Sequence, residues 1–121
     1  GMQDMLTSMS KCLVMGMPLT EVIRASTWRP AQVIHHEELG HLTVGAVADV
    51  TALQVHQGDF SYADAFGGRH PGKQRLSAEV TLRAGRIVWN ANSRGGQDWR
   101  KLSPTYGIRE GFDQIIPPPM K

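Results

Sequence analysis

An α+β fold, helices first and strands after, is predicted by three features of this 121-residue sequence. Residues 3–36 are rich in Met and Leu at helical spacing. Residues 41–92 are rich in Val, Leu and Gly and alternate as half-buried strands do. Gly40 stands between the two patterns, where a helix breaks and a turn can begin. The chain divides accordingly into terminal helices at 1–39, a β-rich unit at 40–100 and a tail at 101–121.

In the first segment Met5, Met9 and Leu13, with Leu6 and Cys12, fall on one helical face. Gly16 suits the left-handed position that ends such a helix. Pro18 fits the first turn of a second helix, and Glu21 favours the positive end of its dipole. Leu19, Val22, Ile23 and Ser26 give this helix its inner face. A break is expected at Thr27-Trp28-Arg29-Pro30, because a residue before proline is pushed out of helical geometry. A third short helix then runs from Pro30 to about His36.

The β pattern opens at Asp49 and runs to His56. Gly58-Asp59 reads as a turn, followed by a short strand through Phe60 and Tyr62. Gly67 to Gly72, with Pro71, reads as a long loop. Arg75–Arg83 has the clearest alternation: Leu76, Ala78, Val80 and Leu82 on one face, polar residues on the other. Ala84-Gly85 is a hairpin turn, with Gly85 supplying a positive φ, and Ile87–Asn90 returns as the partner strand. In the tail, Trp99, Tyr106 and Phe112 suggest a segment draped over the body, ending in a frayed Pro117-Pro118-Pro119.

Composition narrows the function. Hydrophobic residues make up 40% and charged residues 20%, as in a globular domain, and the net charge of +2 is too small to imply nucleic-acid binding. One cysteine, Cys12, rules out an internal disulfide or a Cys-pair zinc site, and its apolar neighbours make it a small packed hydrophobe. No run approaches the ~20 apolar residues of a membrane span, and no leader pattern is visible, so the cytoplasm is the default compartment.

The stretch most suggestive of chemistry is His35-His36-Glu37-Glu38-Leu39-Gly40-His41. The metalloprotease pattern needs histidines at i and i+4, so that both rings reach one zinc from one helix face. His36 and His41 are at i and i+5, about 140° apart on a helix. Gly40 also ends the helix before His41, and His35 meets Leu39 at i+4. The reading is therefore a solvated helix end, with His35 and His36 near its negative terminus. His56 and His70 show no acidic neighbour at ligand spacing, and Asp59 and Asp64 no partner. Neither a phosphate loop nor a nucleophile elbow is present. Gly67-Gly68-Arg69 reads as a flexible loop.

The more specific motif overlaps the end of that stretch. Gly40-His41-Leu42-Thr43-Val44-Gly45-Ala46-Val47-Ala48-Asp49-Val50 places two tight turns around an apolar Leu42 and then opens a strand. It resembles the Gly-x-Leu-x-x-Gly-x-x-Ala-Asp-Val signature of the amidohydrolase superfamily, the metal-dependent hydrolases related to dihydroorotase. Gly16-Met17 through Thr27-Trp28-Arg29-Pro30-Ala31 is similar to that family's helix pair, with Arg29 where the family often has Asn. Leu82–Trp89 is similar to its late hairpin. The likeness covers residues 4–100 and is nearest the dihydroorotase-like and deacetylase-like branch.

The resemblance implies a C-terminal fragment: a remnant of the end of a TIM barrel, followed by a partial β-sandwich. In the family a divalent metal, expected to be zinc, is held by a His-x-His pair, often a carboxylated Lys, two more histidines and an Asp closing the eighth strand. A whole barrel needs roughly 250 residues, and the chain corresponds to the region beyond that Asp. Asp4 matches a position in the next helix. No catalytic, cofactor-binding or metal-ligating residue is therefore assigned in this chain. The implied activity, hydrolysis of amide or cyclic amide C–N bonds, belongs to the intact enzyme, with the chain inactive alone. The alternative is a non-enzymatic β-rich module that completes or binds another chain. Either way, apolar surface left open predicts self-association, through Met5, Met9 and Leu13 or through sheet edges, or pairing with a barrel-containing chain. No nucleic-acid or membrane partner is expected.

Overall fold

The computed structural model describes residues 3–93, 96 and 98–102. Three helices precede three strands: α1 (Met5–Val14), α2 (Leu19–Ser26), α3 (Trp28–Val33), β1 (Val50–Ala63), β2 (Arg69–Arg83) and β3 (Arg86–Asn90). A short 3-10 turn comes next at Trp99–Lys101. The α+β class agrees with the sequence reading. Tyr106, Phe112 and the terminal prolines lie outside the described residues, as does the side chain of Trp99.

Asp4 starts α1 by accepting from the Thr7 amide at 2.7 Å and the Thr7 hydroxyl at 2.8 Å. These bonds, the amide first, hold the Asp4 carboxyl below its ordinary range. At the other end Gly16 has φ +94°. Its amide bonds Leu13 O and the Met17 amide bonds Cys12 O, each at 3.0 Å, which closes the helix as a Schellman motif.

Three helix boundaries differ from expectation, one of them the end of α3, which stops at Val33 and not near His36. Pro18 precedes α2, and its carbonyl accepts from the Glu21 and Val22 amides. The break after α2 is confined to Thr27, with φ −130° and ψ −81°, and α3 begins at Trp28 with Pro30 inside its first turn. Proline is tolerated there because first-turn amides have no helical acceptor to lose. Arg29, expected in the break, is helical and donates to Glu21 at 2.9 Å, as Arg24 does at 3.0 Å.

The sheet is antiparallel, in the order β1-β2-β3. Gly58-Asp59 is not a turn. β1 runs straight through it, with an irregularity between Gln57 and Phe60 where β1 uses one residue more than β2. Nor is Gly67–Gly72 a long loop, since β2 begins at Arg69 and pairs it with Ala63. Turn residues can sit inside a long hairpin when the ladder on both sides outweighs them. At Gly72 a Cβ would lie 2.4 Å from Val14 Cγ2 and 3.0 Å from Tyr62 Cε2, so the glycine lets α1 approach the strand. Among the described residues β3 pairs with Val80–Arg83 of β2, and just past it the Ala91 amide bonds Glu79 O at 2.9 Å.

Helix α1 packs on β2. The core unites Met9, Val22 and Leu76, with Leu6, Cys12, Leu13, Leu53 and Val55 packed around them. Fully burying a side chain such as Leu76 is worth about 1.5–3 kcal/mol. Ser10, 1% exposed, pins helix to strand: its hydroxyl donates to Leu6 O at 2.7 Å and accepts from the Leu76 amide at 3.0 Å. Most of the expected sticky stripe is thus covered within the chain. Met9 is buried and Leu13 half-buried against the sheet, and only Met5 is open.

Candidate functional site

The histidines of residues 35–41 go separate ways. His35 takes the left-handed position after α3, with φ +58°. Its amide bonds Gln32 O and that of His36 bonds Ala31 O, a second Schellman closure made without glycine. His36 Nδ1 lies 2.7 Å from Glu38 Oε1, and this bond holds the Glu38 carboxyl below its ordinary range. His41 meets the Trp28 ring edge-on, with centroids 5.8 Å apart, and its Nδ1 accepts from the Thr43 amide at 3.3 Å. Among the described residues no three His, Cys, Asp or Glu side chains gather as a metal ion requires. The described residues do not offer the donor set that the resemblance implies for a divalent ion.

Gly40 is where the chain turns from helices to sheet. Its φ is +75°, and a Cβ there would lie 2.6 Å from the Thr27 carbonyl oxygen and 3.2 Å from Trp28 Cα. Only glycine lets the backbone press so closely on the α2–α3 corner. Gly45, with φ +94°, makes the second turn in open space. Between and beyond them Leu42, Val44 and Val47 are exposed.

Asp49 has a role that the sequence reading did not assign. Its Oδ1 accepts from the Ala84 amide at 2.7 Å, while Ala48 O accepts from the Gly85 amide at 2.9 Å. Both turn residues have positive φ, Ala84 at 48° and Gly85 at 76°. For an alanine that geometry costs about 1–2 kcal/mol, and the carboxylate bond offsets part of it. The motif therefore fastens the β2–β3 hairpin to the start of β1.

Above this junction α1, α2 and the inner sheet face enclose a groove of about 740 Å³. Its walls include Met5, Leu19, Ile23, Leu42, Leu53 and Val55, with His41, Asp49, Thr51 and Thr81 as the polar fringe. β1 forms one edge of the sheet, and among the described residues no strand pairs with its free side. An apolar groove beside an unpaired edge is suited to packing against protein.

A second cluster sits at the β1–β2 hairpin tip. Asp64 Oδ1 accepts from the Phe66 amide at 2.8 Å and the Gly68 amide at 2.7 Å, and Oδ2 lies 3.1 Å from His70 Nε2. The His70 bond, then the Gly68 and Phe66 amides, hold the Asp64 carboxyl low. The two aspartates that sequence alone could not pair have partners here: Asp64 has His70, and Asp59 pairs with Lys73. The antiparallel register supplies these neighbours, and sequence spacing does not show them. Likewise His56 Nε2 lies 2.7 Å from Ser77 Oγ across the strands. None of these pairs opens into the groove.

No family model matches the chain. A deacetylase of Brucella anthropi is 39% identical over 64 residues, which is 53% of this chain and 16% of that protein. In fold the chain is similar to an adenine deaminase, with a TM-score of 0.69 and 29% identity over 72% of this chain and 24% of that one. It is also similar to a dihydroorotase, with a TM-score of 0.65 and 28% identity over 73% of this chain and 24% of that one. The chain thus spans about a quarter or less of the length of the proteins it matches. By sequence and by fold together, the chain is similar to one part of these amidohydrolase-superfamily proteins.

Proposed function

We propose that this sequence is the post-barrel part of a metal-dependent amidohydrolase, comprising the closing helices of a (β/α)₈ barrel and part of a β-sandwich. The intact enzyme hydrolyses amide or cyclic amide C–N bonds, and this part alone does not. One observation carries the reading: sequence and fold agree with amidohydrolase chains over 72% of this chain but only 24% of theirs. The groove and the free edge of β1 support it, since both suit coverage by the rest of such an enzyme. The described residues contribute packing and closure, and the divalent metal, zinc by expectation, belongs to a donor set elsewhere. The test is to equilibrate the purified chain with zinc, remove the excess, and measure bound metal and hydrolysis of N-acetyl and cyclic amides. The expected result is neither. Stoichiometric zinc together with turnover overturns the proposal.

The free edge of β1 also favours a second reading, a β-rich interaction module that completes another chain by strand addition. Binding to a separately encoded barrel, with no barrel in the same reading frame, would favour it over the first.

A further inference from the structure

We draw no further inference here: the strongest candidate, the apolar groove between α1, α2 and the sheet beside the free edge of β1, belongs to the surface already described, and nothing in the structure shows what covers it.

Discussion

Replacing Gly40 with alanine tests whether the helix-to-sheet junction depends on close backbone approach. Two costs add at this position. A left-handed φ of +75° costs a non-glycine residue about 1–2 kcal/mol. The new Cβ would also lie 2.6 Å from the Thr27 carbonyl oxygen, a backbone atom that moves only if the α2–α3 corner moves. Overpacking of that kind costs about 1–3 kcal/mol. The expected loss for Gly40→Ala is therefore about 2–5 kcal/mol. Gly45→Ala is the matched control, because its φ is also positive but no atom lies within 4 Å of the added Cβ. It should show only the strain cost, about 1–2 kcal/mol. Urea unfolding, followed by circular dichroism at one protein concentration for both variants, reads the difference. If Gly40→Ala is no less stable than Gly45→Ala, the junction is not packed as described and the steric argument fails.

The same geometry sets three further outcomes. Ser10→Ala strips the Leu76 amide of its acceptor in a buried site and should cost about 1–3 kcal/mol. The Leu76 amide should also exchange with deuterium faster, and unchanged exchange would remove Ser10 as the pin. At the hairpin tip the folded pKa of Asp64 lies below its ordinary 3.8, so its contribution is present above that value and fades as pH falls beneath it. The Phe66 and Gly68 amide resonances should accordingly titrate with a midpoint below 3.8, and a midpoint at or above it would contradict the His70 bond and the two amide bonds together. Finally, the exposed Leu42, Val44 and Val47, the groove and the free β1 edge should make the isolated chain self-associate in sedimentation velocity. A monomer unchanged across concentration would count against an uncovered apolar surface.

Local rules carried far in this chain, and they stopped where contacts between distant segments decide. The α1 stripe and the Gly16 closure were legible because helical period and the left-handed cap are properties of neighbouring residues. The Arg75–Arg83 strand and its turn were legible for the same reason. Gly58-Asp59 and Gly67–Gly72 are turn-forming in isolation, but the ladder between β1 and β2 holds Gly58-Asp59 and Arg69–Gly72 in strand. Pro30 misled because its cost depends on where the helix begins, and α3 begins two residues earlier. Ser10 did leave a trace, a small polar residue four positions after Leu6 and three before Leu13 in an apolar stripe. Nothing local, however, names Leu76 as its partner. Of the junction, Gly40 and Gly45 announced their turns. The hold of Asp49 on Ala84 spans 35 residues and needed the fold.

The proposed place of this chain within a larger enzyme is tested most directly by reading the genomic DNA upstream of the segment that encodes this sequence. The account predicts a continuous reading frame that encodes alternating strands and helices and a His-x-His pair near the end of its first barrel strand. A stop codon, or an unrelated sequence with no barrel pattern, would contradict it.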